Sequence, residues 1–159
     1  MQPSLKYAVV ERERRYLVRG IPAGVSRTTS IRDRYITGTR LRLRAVTEPD
    51  GRVIRKLNQK VRLTDGPQEI ACTSVYLDDA EWSALDVLPG AIIEKRRHHV
   101  ERDGLHLVID EFGDGSLLAE IDSGDQAPIS VPGWLDVIRE VTLEEPWSGS
   151  GRASRLAGR

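Results

Sequence analysis

The chain has 159 residues, 24 Lys/Arg against 24 Asp/Glu, 39% hydrophobic residues and a single cysteine, Cys72. That length suits one domain with a real core. The lone cysteine excludes an internal disulfide framework and fits a reducing compartment. No apolar run reaches a membrane span or a signal-peptide core, so the expectation is a cytoplasmic protein that does not contact membranes.

Short alternating segments separated by turn residues dominate the pattern. Strands are predicted over 7–18, 31–36, 39–47, 53–63, 69–77, 91–101, 105–112 and 117–123, with a short one at 138–143. Asp50-Gly51, Asp65-Gly66-Pro67, Asp103-Gly104 and Gly113-Asp114-Gly115 mark turns between them. Asp103-Gly104 is the best hairpin signal. One helix is predicted over 80–88: Asp78 precedes it, Glu81 completes a capping-box pattern and Pro89-Gly90 stops it. Trp82, Leu85 and Leu88 share a face that would pack on a sheet. A second short helix is expected near Pro132, carrying Trp134, Leu135 and Ile138. The domain should occupy 1–145, with 146–159, rich in Gly, Ser and Arg, a partly flexible tail.

Charge is distributed unevenly. Residues 1–62 hold 16 Lys/Arg against 5 Asp/Glu, and residues 63–159 hold 8 against 19. A basic half usually suggests nucleic acid, but aromatic residues make up only 5% of the chain, so platforms for stacking bases are scarce. The charges also fall at period two within single strands. Glu11, Glu13 and Arg15 share one strand face, as do Arg40, Arg42 and Arg44, then Lys56 and Lys60, then Lys95 and Arg97, then Glu120 and Asp122. A solvated edge strand would also alternate, but it would not give each strand one sign of charge. A closed barrel with a polar lumen accounts for both features, because interior and exterior positions alternate on every strand. Buried charges must be paired or coordinate metals, so such a lumen needs both signs.

These residues resemble the CYTH domain, or triphosphate tunnel metalloenzyme, family. Its N-terminal E-x-E-x-K strand is matched by Glu11-x-Glu13-x-Arg15, its R-x-R strand by Arg42 and Arg44, and its K-x-R strand by Lys95-Arg96-Arg97. Further matches are Lys60 with Lys56 nearby, Asp110-Glu111-Phe112-Gly113, Ala119-Glu120-Ile121-Asp122 and Glu140-Val141-Thr142. The ordered matches cover about residues 7–157. Two departures stand out: the motif lysine is Arg15, and the strand around Glu69 lacks an acidic pair.

The resemblance implies a mostly-β, eight-stranded antiparallel closed barrel with one or two packed helices, binding a triphosphate together with Mg²⁺ or Mn²⁺. Arg40, Arg42, Arg44, Lys56, Lys60, Lys95 and Arg97 would hold the phosphates. Glu11, Glu13, Asp110, Glu120, Asp122 and Glu140 would be the metal ligands, with Glu13 and Arg15 closest to the chemistry. Inorganic triphosphate is the first expected substrate, followed by nucleoside or thiamine triphosphate. The alternatives are a non-catalytic polyphosphate- or nucleotide-binding module and a class IV-type adenylate cyclase. No nucleic-acid partner is expected; a homodimer is plausible. His98, His99 and His106 form no metal-ligand spacing, Cys72 reads as buried filler, and Gly20–Gly24 lacks the Lys and Ser/Thr of a phosphate-binding loop.

Overall fold

The computed structural model describes residues 4–63 and 69–157. Nine strands run in order: β1 (Ala8–Val18), β2 (Val25–Ile36), β3 (Leu41–Thr47), β4 (Val53–Arg62), β5 (Glu69–Tyr76), β6 (Gly90–Arg102), β7 (Leu105–Phe112), β8 (Leu117–Asp122) and β9 (Val137–Glu140). Their spatial order is β5-β4-β3-β2-β6-β7-β8-β1-β9, and β5 also pairs with β1. That extra pairing, Ala8 opposite Thr73 to Arg12 opposite Glu69, closes eight antiparallel strands into a barrel and leaves β9 as a short addition beside β1. Closure removes the exposed edges that an open sheet of this size would carry.

The strands follow the predicted ones closely, with one extension. β2 begins at Val25, six residues before the expected start at Ile31. The hairpin at Asp103-Gly104 forms as expected, both residues having positive φ, 52° and 74°, as a two-residue type I′ turn requires. The turn expected at Asp65-Gly66-Pro67 lies outside the described residues.

Helix α1 (Asp79–Leu85) has the predicted capping box: the Asp78 carboxylate accepts from the Glu81 amide, and Glu81 accepts from the Asp78 amide. Asp78→Ala should cost about 1 kcal/mol of stability, read by chemical denaturation, because the Glu81 amide in the first turn of a short helix loses its side-chain acceptor. No helix among the described residues is long and apolar enough to cross a membrane.

Two apolar clusters sit on opposite sides of the barrel wall. Outside it, Tyr16, Val18, Val100, Leu107, Ile109, Ala119 and Ile121 are covered by Ile129, Trp134 and Leu135 of the segment that follows β8. At one end of the interior, Ile93, Phe112, Leu118 and Val141 pack against Trp147, Ala153 and Leu156. The last two belong to helix α2 (Gly149–Ala157), which stoppers that end.

Two expectations are corrected here. No helix forms near Pro132; Trp134 and Leu135 cover the outer cluster from an irregular segment, and Ile138 lies in β9. The stretch read as a loose tail folds as a 3-10 turn (Glu145–Trp147) and α2. Tertiary contacts override its Gly/Ser composition. Arg152 is buried, its guanidinium 4.8 Å from the Phe112 ring centre and 4.5 Å from that of Trp147, and it donates to Asp114 and Ser116.

Candidate functional site

Strand register decides which side chains face inward, because directly opposed residues on antiparallel strands project from the same side of the sheet. Asp33 opposes Arg44, Tyr35 opposes Arg42, and Arg44 and Arg42 oppose Lys56 and Asn58. Arg97 opposes Asp110, and Arg15 and Glu13 oppose Glu120 and Asp122. One face of the closed sheet therefore collects Glu11, Glu13, Arg15, Asp33, Arg42, Arg44, Lys56, Lys60, Lys95, Arg97, Asp110 and Glu120 in the lumen. The signs are mostly segregated: β3, β4 and β6 bring cations and β7, β8 and β1 bring carboxylates, with Asp33 on β2 and Arg15 on β1 as the exceptions.

Asp110 is fully buried and forms the strongest anchor. It accepts Arg97 Nε and Nη2 at 2.7 and 2.8 Å, and Lys95 Nζ at 2.5 Å. Burial alone would raise its pKa, but Arg97 and Lys95 outweigh that and hold the carboxyl well below its usual range. Asp33, also fully buried, does the same on β2, on the other side of β6: Arg44 binds it through two bonds of 2.7 Å, and Arg42 approaches to 3.9 Å. Against the cost of burial, Arg44, Arg42 and Lys95 depress its pKa strongly. Both aspartates fix the cations in place and so organise the wall on which an anion would rest.

Arg42 also donates to Asn58 Oδ1 at 2.9 Å, and Asn58 in turn donates to Ser74. Lys60 pairs with Glu11 at 2.7 Å. Lys56 has no carboxylate partner among the described residues and lies 5.5 Å from the ring centre of Tyr76. Burial, then Arg44 and Arg42, lower its pKa.

Glu13 is the exception among the acids. It makes no ion pair or hydrogen bond among the described residues. Burial, then repulsion from Glu120 and Glu11, push its carboxyl up to about 7 despite Lys60 and Arg15 nearby. Glu120 is engaged by Arg97 at 2.7 Å. For Glu11, burial is outweighed by Lys60 and Arg42, which leave its pKa lowered.

Several expected site residues are placed elsewhere. Glu140 is on the outer face, opposite Tyr16, where it binds Arg14 at 2.8 Å and accepts from Thr142; it is not a lumen carboxylate. Glu140→Gln should therefore leave metal affinity and turnover unchanged and cost at most about 1 kcal/mol, as for a partly exposed ion pair, checked by titration calorimetry and thermal melts. Arg40 is exposed in the turn before β3. Asp122 is exposed and caps backbone, accepting from the Arg12 and Gly124 amides. Arg15 turns toward the C-terminal segment, donating to the carbonyls of Thr142 and Trp147. Asp110 is saturated by cations rather than free to ligate.

Sequence reasoning missed Asp33, Asn58, Thr29 and His99. The signal for Asp33 was its alternation with Ile31 and Tyr35, masked by Arg32 and Arg34. His99 sits beside His106, ring centres 5.7 Å apart, with Arg27 3.3 Å from its Nε2. Burial, then Arg27, Arg97 and His106, lower its pKa to about 4. A groove of about 670 Å³ is lined by Ser30, Arg32, Glu94, Arg96 and Glu111, together with Ile31, Lys95 and Phe112 from the lumen face, and holds mixed charges.

Could the lumen take a divalent cation? Among the described residues no three His, Cys, Asp or Glu side chains are gathered closely enough to hold one as they stand. Mg²⁺ needs less than that: one or two carboxylates suffice, with substrate phosphates and water completing the shell. Unpaired Glu13, flanked by Glu11 and Glu120, meets that donor requirement.

Fold and lumen together define a closed antiparallel barrel with a two-signed interior. Solved structures share the barrel fold. The crystal structure of the inorganic triphosphatase NE1496 matches with a TM-score of 0.57 and 21% sequence identity, covering 89% of this chain and 95% of that one. A crystal structure of the hypothetical protein NE1496 matches with a TM-score of 0.57 and 22% identity, over 90% and 96% of the two chains. At such identity the likeness establishes the fold. No family profile matches the chain, and no curated protein shows significant sequence similarity to it.

Proposed function

We propose that this chain hydrolyses a triphosphate with the help of Mg²⁺ or Mn²⁺, inorganic triphosphate being the first candidate substrate. The observation that carries this reading is the division of the lumen: Arg42, Arg44, Lys56, Lys60, Lys95 and Arg97 on one side, and Glu13 among Glu11 and Glu120 on the other. A triphosphate carries about four negative charges, and phosphoryl transfer depends mostly on positioning and electrostatic stabilisation. The arginines offer bidentate contacts to phosphate oxygens. Asp33 and Asp110 hold Arg44, Lys95 and Arg97 in position before any ligand arrives, so little reorganisation accompanies binding. Glu13, with Glu11 or Glu120, would hold the metal. When bound, it would neutralise phosphate charge and lower the pKa of an attacking water. The barrel shared with the inorganic triphosphatase NE1496 adds support at the level of architecture.

A second reading rests on a specific observation. The lumen positions of β5 are Ile70, Cys72 and Ser74, without a carboxylate, and Arg15 is committed to the C-terminal segment. A barrel so lined could capture a triphosphate without cleaving it. ³¹P NMR separates the two readings when the protein is mixed with inorganic triphosphate, ATP and thiamine triphosphate, each with Mg²⁺, with Mn²⁺ and with EDTA. The expected result is orthophosphate plus pyrophosphate from inorganic triphosphate, only with metal. Broadened triphosphate resonances without products would establish the binding module instead, and cyclic AMP from ATP would establish a cyclase.

A further inference from the structure

We propose that Thr29 is a phosphate-binding residue of the lumen, its hydroxyl donating to a triphosphate oxygen alongside the guanidinium of Arg97; this rests on the reading that the lumen binds a triphosphate. Thr29 lies on β2, in the part of that strand absent from the sequence expectation. It is 2% exposed, and its Oγ1 has no hydrogen-bond partner. A buried hydroxyl without a partner is costly, so such groups in folded proteins are rare and call for an explanation.

The register says where this hydroxyl stands. Thr29 directly opposes Arg97, whose side chain enters the lumen to reach Asp110 and Glu120, so Thr29 projects into the lumen as well. Ile31 and Asp33 follow on the same face. Arg97 uses Nε and Nη2 for the two carboxylates and leaves Nη1 without a hydrogen-bond partner among the described residues. Two uncommitted donors, Thr29 Oγ1 and Arg97 Nη1, thus belong to facing residues whose Cβ atoms are about 5 Å apart in such a pair. An anionic oxygen between them would satisfy both.

The other buried orphans have different settings. The Tyr16 hydroxyl is in the outer cluster, and Arg152 Nε lies between the rings of Phe112 and Trp147. Among the described residues, Thr29 alone couples an unsatisfied buried side chain to the charged lumen.

The test compares Thr29→Val, which keeps shape and removes the hydroxyl, with Thr29→Ser, which keeps the hydroxyl. Three quantities are read for each: the melting temperature without ligand, its rise on adding inorganic triphosphate with Mg²⁺, and kcat and KM for that substrate. Thr29→Val should melt at or above wild type without ligand, since it loses an unsatisfied polar atom, yet show a smaller triphosphate-induced rise and a KM roughly tenfold higher, the effect of one hydrogen bond to a charged group. Thr29→Ser should restore KM to near wild type. A valine variant with unchanged KM and unchanged triphosphate-induced rise overturns the proposal, as does one that melts lower without ligand while KM stays the same, since the hydroxyl then serves the fold. A wild-type protein that responds to triphosphate in neither assay overturns the underlying reading along with it.

Discussion

Glu13→Gln is expected to lower metal-dependent triphosphate hydrolysis at least about a hundredfold, the scale of removing one group that stabilises the transition state, while making the metal-free protein more stable above neutral pH. The sign follows from the direction of the shift. Burial, then Glu120 and Glu11, raise the folded-state pKa of Glu13 from 4.5 to about 7. Between those values the folded protein keeps a proton that the unfolded chain has released. Stability therefore falls as pH rises through that window, and the full cost is present above it. At about 1.4 kcal/mol per unit, a partly buried group with this shift costs on the order of 2 kcal/mol. Glutamine carries no charge to confine, so thermal melts at pH 8 should show a gain of several degrees that shrinks at pH 5. Mg²⁺ should raise the wild-type melting temperature at pH 8 and leave the variant nearly unmoved. A variant that keeps its turnover, or is less stable at both pH values, would remove Glu13 from the metal site.

Asp110→Ala is expected to have the largest effect on stability. The carboxylate is fully buried, and both Lys95 and Arg97 depend on it. Removing one member of a buried ionic cluster leaves uncompensated charge, at a cost of about 3–5 kcal/mol. Denaturant titration should show that loss, and the variant's folding should become sensitive to added polyanions that substitute for the missing charge. The same cluster sets the acid limit. The folded-state pKa values of Asp110 and Asp33 are depressed, so their contribution is intact above the ordinary carboxylate range and is lost as pH falls below about 4. Acid unfolding of wild type should begin there, and the transition should move upward in pH for Asp110→Asn. An Asp110→Ala protein as stable as wild type would show that Lys95 and Arg97 find other partners.

The parts of the fold that could be read in advance were the local ones. Period-two alternation placed most of the strands, and the Asp103-Gly104 turn and the Asp78/Glu81 cap needed only adjacent residues. Charge of a single sign on the arginine and lysine strands and on the strand of Glu120 and Asp122 pointed to a lumen. The missed features depend on partners distant in the chain. Asp33, between two outward arginines, looks like surface charge until closure brings Arg44 to it. Glu140 matched a motif letter by letter, yet β9 pairs with β1 in a register that turns it outward. Arg15 aligned with a motif lysine, but the carbonyls of Thr142 and Trp147 claim it. A Gly/Ser-rich end gives no hint that two aromatic rings will sandwich Arg152 and order a helix.

Helix α2 has one more effect, on traffic. Because Trp147, Ala153 and Leu156 stopper one end against Ile93, Phe112 and Leu118, the barrel is a blind well rather than a bore. On the proposed reading an anion would go in end-first, and whatever leaves would come back past the same rim. A long phosphate polymer could not thread through; it could present only its terminus. Cleavage would then trim such polymers from their ends, and each small product would compete at the rim with the next molecule coming down.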